Sequence, residues 1–401
     1  MWNFIKLLGI SGLHVTRYWR EEKQMVFALT VRRKTAHCPQ CNKRSCHMHG
    51  HGRKRRVLHG TILEKQCILE WIPRRFSCLS CVSVFTEHVP FVQSHQRATL
   101  KHKREVIGNL ADRSFSSGTK RYGISYATQR KWLIELVSGT VYNFDEEQKR
   151  RAPFVLGIDE VSFAGRDMVT TIGNITTHRL KGILRSRRKD ELRKVLRSIP
   201  KEVRPLIEEV VIDMCMLYLR TVQEVLPRAQ IVVDHFHIIQ DANRRIDSER
   251  LLLQDIYKKS IPRYLFTKNK EDLTPSQIFY MGEIIKRYPE LKMFWETKEQ
   301  LRSMYKSATK DEATERLRLI IATLTSTDDG ELISWGRTLS RWRQYILNYW
   351  NHKSTNGFME GIHNKMKLIK RISFGFKNKE VFIHKVMLSV LVGILLGHSN
   401  V

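Results

Sequence analysis

The 401-residue chain contains no run of 18 apolar residues, so nothing in it reads as a membrane-spanning helix. The segment MLSVLVGILLG near the end is too short to span and reads as a core helix. The opening MWNFIKLLGISGLHV lacks the basic stretch and small-residue cleavage site of a secretory signal. Internal repeats and low-complexity tracts are missing too, which excludes solenoid and disordered architectures. Acids are scarce: 40 Asp+Glu against 70 Lys+Arg leave a formal charge of +30. A field of that size repels itself and calls for a polyanion; nucleic acid is the first candidate, an acidic membrane surface the weaker one. The seven cysteines are an odd number. That count argues against a disulfide framework and for a reducing compartment in which thiols hold metal.

What is present is ordinary in apolar content, 42%, and long enough for several cores. Residues 1–91 are short strand-like runs with Cys, His and Gly turns, and residues 92–142 are helical and basic. From 153 to 240 apolar strands alternate with amphipathic helices, 241–340 reads as all-helical, and 341–398 is a last helical stretch. The charged NFDEEQKRRAP, residues 143–153, reads as a linker. Residues 1–150 hold 27 Lys+Arg against 11 Asp+Glu, so more than half of the excess charge precedes that linker.

Four cysteines form two C-x-x-C pairs, Cys38 and Cys41 in HCPQCNKRSC and Cys78 and Cys81 in RRFSCLSCVSVF. Two such knuckles can offer four thiolates tetrahedrally to Zn²⁺, a zinc ribbon, and the metal lends folding energy to a module too small to stabilise itself. Cys46, His47, His49 and His51 crowd the same stretch and read as solvated turn residues rather than a second site. Cys67 and Cys215 sit in apolar runs and read as core. Downstream, LKHKREVIGNLAD, SFSSGTKRYG and ISYATQRKWLIELV have helix-turn-helix spacing, with a turn at Gly123 and Ser125 as N-cap. The third helix would turn Tyr126, Gln129, Arg130 and Lys131 toward DNA and keep Leu133, Ile134 and Val137 for its own core. A plain helical hairpin would show a similar pattern; the neighbouring zinc ribbon and the basic charge favour DNA.

Three apolar strands end on acids: VLGIDE at Asp159, VVIDMC at Asp213 and IVVDHFH at Asp234. Three hairpin-type strands followed by helix–strand–helix–strand is the order of a ribonuclease-H-like sheet, in which the strand of Asp213 lies parallel beside that of Asp159. Two bare carboxylates so placed repel, and a hard divalent cation, Mg²⁺ or Mn²⁺, removes the conflict. HKSTNGFMEGIHNKMKLIKRISFGFKN offers a third acid, Glu360, on a helix, with Lys365, Lys367, Lys370 and Arg371 suited to a phosphate backbone.

These blocks, above all VIDMCMLYLRTVQEVLPRAQIVVDHFHIIQDANRRID and NGFMEGIHNKMKLIKRISFGFKN, resemble the DDE transposases of the bacterial insertion-sequence ISL-three family over nearly the whole chain. The expected architecture is multidomain α+β: zinc ribbon (1–91), helix-turn-helix domain (92–142), a ribonuclease-H-like α/β catalytic core (153–240 with 341–398) and an all-helical insertion (241–340). The resemblance implies that Asp159, Asp213 and Glu360 hold two Mg²⁺ ions for nicking and strand transfer at the ends of the element. It also implies that Asp234 and His237 form the D-x-x-H signature, and that a homodimer joins two DNA ends in the bacterial cytoplasm, at the nucleoid. Asn174 stands where the family often has an acid. Trp295 and Trp335 could stack on a flipped base, although core packing is their commoner role. The rival readings are a transposase-derived DNA-binding regulator without catalysis and a structure-selective nuclease on the same fold.

Overall fold

The computed structural model describes residues 8–10, 12–93 and 95–396, with side chains to residue 391. The first seven residues of the opening segment and the end of the chain from Gly397 lie outside the described residues. Two compact units emerge, Met1–Gly139 with Leu368–Val401, and Thr140–Lys367.

In the first unit, β1 (Leu13–Arg20), β2 (Gln24–Val31), β6 (Arg55–Ile62) and β7 (Lys65–Trp71) form a sheet in the order β1-β2-β7-β6. Alternation sends Leu13, Val15, Phe27, Val57, Leu69 and Trp71 into one core. Strands β3 (Ala36–His37) and β4 (Arg44–Ser45) carry the first cysteine knuckle, while β5 (Met48–His51), β8 (Arg74–Ser77) and β9 (Val84–Thr86) form a three-stranded sheet around the second. The β6–β7 hairpin is thus inserted between the two knuckles.

Three helices follow: α1 (Leu100–Gly108), α2 (Phe115–Tyr122) and α3 (Tyr126–Val137). Thr99, Ser114 and Ser125 cap them, each accepting from the amide three residues on. Gly123, at φ 66°, ends α2 in the left-handed conformation that a side chain would disfavour. Leu133 and Val137 are buried as the sequence pattern requires.

The second unit opens with α4 (Asp145–Arg150), inside the stretch read from sequence as a linker. The helix is anchored because Glu147 is buried, bridging Lys181 at 2.5 Å and accepting from the Asn174 amide at 2.8 Å. Next come β10 (Phe154–Ala164), β11 (Asp167–Asn174), β12 (Arg179–Leu184), α5 (Lys189–Ser198), β13 (Ile207–Ile212), α6 (Met216–Val225) and β14 (Gln230–Val233). The sheet order is β12-β11-β10-β13-β14. β10, β11 and β12 are antiparallel to one another; β13 and β14 run parallel to β10. Helices α7 (His235–Tyr257), α8 (Arg263–Thr267), α9 (Pro275–Arg287), α10 (Glu290–Met304), α11 (Lys310–Thr325), α12 (Gly330–Leu347) and α13 (Tyr349–His352) fill the span up to residue 352. Their apolar faces join the core of the sheet. Trp335 is fully buried and stacked on Phe294, and Trp295 packs at the edge of the same core, so packing is what these rings do here.

Helix α14 (Gly357–Ile372) reaches across the boundary between the units, and α15 (Lys379–Leu396) belongs to the first. The sequence reading placed 341–398 with the strands of 153–240; of that stretch, residues up to Lys367 lie in the second unit and those from Leu368 in the first. Lys385, fully buried, donates to Arg113 O at 2.6 Å, and Ser389 donates to Ala111 O at 2.6 Å. A buried ammonium needs such acceptors, and they come from the segment between α1 and α2. Among the described residues, no helix is long and apolar enough to cross a membrane.

Candidate metal centres and DNA-facing residues

The two cysteine pairs converge. Cys38 Sγ lies 3.5 Å from Cys81 Sγ, and Cys41 Sγ lies 3.5 Å from Cys78 Sγ. All four sulfurs fall within 4.8 Å of one another. Tetrahedral thiolates at about 2.3 Å from Zn²⁺ would stand roughly 3.8 Å apart, so the quartet is already close to ligand spacing. The hydroxyl of Ser83 helps to draw the Cys38 thiol down to about 6, toward the thiolate a metal requires. Cys46, His47, His49 and His51 are exposed, and Cys67 is buried.

The acids of the sheet converge through register. Gly157 of β10 pairs with Val211 of β13 in the parallel ladder. Asp159 and Asp213 each lie two residues further, so they reach the same level on adjacent strands. Asp159 is 5% exposed, and its Oδ1 accepts from the Glu160 amide at 2.7 Å. Burial and the neighbouring Asp213 push its carboxyl up to about 8. His237, in the first turn of α7, resolves part of that conflict. Its Nε2 lies 2.7 Å from Asp213 Oδ1 and 3.7 Å from Asp159 Oδ1, and its Nδ1 is 3.3 Å from Gln240 Oε1. Burial disfavours charge on the ring, but Asp213, Asp159 and Asp234 together lift it to about 9. The ring therefore sits where both carboxylates favour its protonated form. Asp159, Asp213 and His237 have donor atoms within 4.8 Å of one another, a group able to hold a metal ion.

Asp234 takes a different part. It caps α7, accepting from Phe236 N at 3.3 Å and pairing with His235 Nδ1 at 3.2 Å. Burial opposes its charge, yet His235, the Phe236 amide and His237 hold its carboxyl below the usual range.

Helix α14 is seated on this centre. Buried Asn356, just before the helix, donates to Ile158 O at 3.4 Å, and buried His363 places Nδ1 3.6 Å from Asp159 Oδ2. Glu360 stands in the first turn of the same helix on an exposed side, one turn from His363. It is not part of the three-residue group around Asp159. His363 escaped the sequence reading; its only signal was a histidine three positions after the third acid. A cleft of about 650 Å³ opens from Asp213 and His237 along α7 toward Arg244 and Arg263.

The third helix of the basic region needs one correction. Gln129, expected to face DNA, is fully buried. Its amide nitrogen donates to Ile124 O at 2.7 Å, Thr119 Oγ1 at 2.9 Å and Phe115 O at 3.2 Å. Those acceptors belong to α2 and the tight turn, whose two carbonyls otherwise share the single proton of the Thr119 hydroxyl. Tyr126 is exposed and packs edge-on against Phe115; Lys131 is exposed, and Arg130 lies 3.6 Å from Glu380. In α14, Lys365, Lys367 and Arg371 are exposed, and Lys370 lies over the Phe382 ring.

A four-thiol ribbon precedes a mixed sheet with clustered acids, and the comparisons place that arrangement among the transposases with an N-terminal zinc finger. The model of the ISL3 (ISL-three) DDE family, described as a transposase, matches residues 156–386, and the zinc finger of the IS204/IS1001/IS1096/IS1165 transposases matches residues 34–81. The chain is 24% identical over 401 residues to the transposase for insertion sequence element IS1001 of Bordetella parapertussis, covering 94% of this chain and 95% of that protein. It is 29% identical over 128 residues to the transposase for IS1557 of Mycobacterium tuberculosis, covering 32% of this chain and 29% of that protein. The chain belongs to the ISL3 family of DDE transposases; it is a DNA transposase with a zinc-binding ribbon.

Proposed function

We propose that the chain binds the terminal repeats of its insertion sequence and nicks and joins DNA at a divalent-metal centre built on Asp159, Asp213 and Glu360. The observation that carries this reading is the meeting of Asp159 and Asp213 at one level of parallel strands, with His237 Nε2 2.7 Å from Asp213. Such a pair fits Mg²⁺ or Mn²⁺ by its chemistry: hard oxygen donors side by side, with the Asp159 carboxyl pushed up to about 8 by burial and by Asp213. When bound, the ions would activate water or a 3′-hydroxyl and stabilise the leaving oxygen of an in-line displacement. Asp159, Asp213 and Glu360 are the acids that would hold such ions. His237, whose Nε2 lies beside Asp213, would share that carboxylate with a bound ion, and the α14 lysines would hold the DNA backbone.

The sheet order supports a ribonuclease-H-like core, since three antiparallel strands precede two parallel ones on the far side of β10. The Ser114 cap, Gly123 turn and Ser125 cap support a helix-turn-helix in which Tyr126, Arg130 and Lys131 remain the DNA-facing candidates. Joining two ends calls for two such centres, so the reading includes a homodimer, acting in the bacterial cytoplasm at the nucleoid.

The test is incubation of the protein with its own flanking repeats and Mg²⁺, followed by mapping of the 3′ ends. Asp213→Asn and Glu360→Gln are expected to abolish nicking while end binding stays intact. Binding without cleavage by the unaltered protein under any divalent metal would leave a DNA-binding regulator in its place.

A further inference from the structure

One contact at the centre is not explained by the three acids. Thr171, the cross-strand partner of Asp159, is fully buried, and its Oγ1 makes two contacts. It donates to the Asp159 backbone carbonyl at 3.1 Å and meets His363 Nε2 at 2.9 Å. A hydroxyl carries a single proton. With that proton on Asp159 O, Thr171 accepts from His363 Nε2–H. In this tautomer Nδ1 keeps its lone pair. That lone pair faces Asp159 Oδ2 at 3.6 Å, too far for a hydrogen bond and with like partial charges opposed. Nothing among the described residues donates to it.

A shared cation removes the opposition. Donors each about 2.1 Å from one ion can stand up to about 4.2 Å apart, so 3.6 Å admits a metal bound by both. A ligating histidine usually donates its other ring nitrogen to an oxygen that fixes its orientation, and here Thr171 accepts in that position. Oδ1 of Asp159 lies toward His237 and Asp213, whereas Oδ2 lies toward His363.

We propose that His363 Nδ1 is a metal ligand on the Oδ2 side of Asp159, next to Glu360 one helical turn away, and that it tilts this position toward Mn²⁺. Imidazole suits transition ions, whereas Mg²⁺ prefers oxygen. The inference rests on the proposed metal centre but adds a residue and an ion preference to it.

The experiment titrates Mn²⁺ and Mg²⁺ separately into zinc-loaded, DNA-free full-length protein by calorimetry, and records nitrogen modulation in the pulsed EPR spectrum of bound Mn²⁺. His363→Leu is expected to weaken Mn²⁺ binding at least tenfold and Mg²⁺ binding less than threefold. In a His237→Leu background, which removes the other nearby nitrogen, the modulation persists with His363 and vanishes in the double variant. His363→Gln, which keeps a polar side chain if leucine impairs folding, also loses the modulation. Thr171→Val, which frees the tautomer, is expected to weaken Mn²⁺ binding in the same direction. Unchanged Mn²⁺ affinity and unchanged modulation without His363 would overturn the assignment and leave the acid centre standing. Failure of the unaltered protein to bind either ion, with Asp159→Asn making no difference, would overturn both.

Discussion

Two glycines decide whether the helix of Glu360 can reach the acids of the sheet. Gly157 of β10 and Gly173 of β11 are cross-strand partners, and both lie under the start of α14. A Cβ on Gly157 would stand 2.8 Å from Asn356 Oδ1 and 2.9 Å from Ile175 Cδ1. A Cβ on Gly173 would stand 2.7 Å from Met359 Sδ and 3.2 Å from Phe358 Cε1. Ordinary contact begins near 3.4 Å, so either alanine must push its neighbours by about 0.6 Å, and Asn356 and Met359 are too buried to swing aside freely. Overpacking of this kind costs about 1–3 kcal/mol, offset by about 0.5–1 kcal/mol from removing a strand glycine. The expected net loss is about 1–2 kcal/mol for each substitution, or about 2–8 °C in melting temperature.

The loss in chemistry should exceed the loss in stability. Under the proposed mechanism, displacement moves Glu360 relative to Asp159, and a misplacement of about 1 Å can cost about a hundredfold in rate. Gly157→Ala and Gly173→Ala are therefore expected to slow Mg²⁺-dependent nicking about ten- to a hundredfold, with terminal-repeat binding within about twofold of the unaltered protein. Gly282→Ala is the control: it lies on α9 with nothing within 4 Å and should gain up to about 1 kcal/mol. Either strand variant nicking at the normal rate with an unshifted melting curve would refute the claim that α14 is seated through this glycine pair.

Protonation gives a second check. Asp159 rises from 3.8 to about 8 and His237 from 6.5 to about 9 on folding. Both groups hold protons more tightly when folded, so the stability they contribute is complete at low pH and is lost as pH rises to about 9. Metal-free protein should lose up to a few kcal/mol over that window, and the rise in melting temperature caused by Mg²⁺ should grow from pH 6 to pH 9; a flat Mg²⁺ effect in differential scanning fluorimetry would contradict this. Chelation, or Cys41→Ser, should remove one zinc per chain by mass spectrometry and abolish end binding, because Phe76, Phe85 and Ala36 add little to the cysteines in the ribbon's small core. Gln129→Leu should cost about 1–3 kcal/mol by leaving the Thr119 hydroxyl alone to serve the buried carbonyls of Phe115 and Ile124, whereas Lys131→Ala should leave the melting temperature alone and lower the salt slope of DNA binding by about one.

Much of the second unit was legible because its signals are local. Apolar runs ending on an acid marked β10 and β13, and parallel register then placed Asp159 and Asp213 side by side. The cysteine quartet was legible from spacing alone. What escaped depends on distant partners. Gln129 looks like a recognition-helix residue until the carbonyls of the preceding turn are seen to need it. The charged 143–153 stretch reads as a linker until Lys181 and Asn174 supply a buried destination for Glu147. His363 meets Thr171 across 192 positions, beyond any periodicity. Lys385 reads as an ordinary helical lysine, yet its acceptors lie on Arg113 and Ser373.

Three acids end three apolar strands, and their surroundings separate the structural one from the chemical pair. Asp234 is fully provided for: a helix N-terminus and His235 hold its charge, so it needs no ion. Asp159 and Asp213 share one histidine, and burial and Asp213 hold the Asp159 carboxyl up at about 8. A buried site short of positive charge, in a chain whose formal charge is +30, reflects placement rather than scarcity. The distinction can be tested on Asp234 itself. Asp234→Asn retains a side-chain oxygen for the Phe236 amide and should nick DNA within about threefold of the unaltered protein. Asp234→Ala removes the cap, should cost about 1 kcal/mol, and should weaken nicking through the displaced His237 one turn away. Equal and complete loss of nicking in both variants, at unchanged stability, would move Asp234 from the frame of the centre into its chemistry.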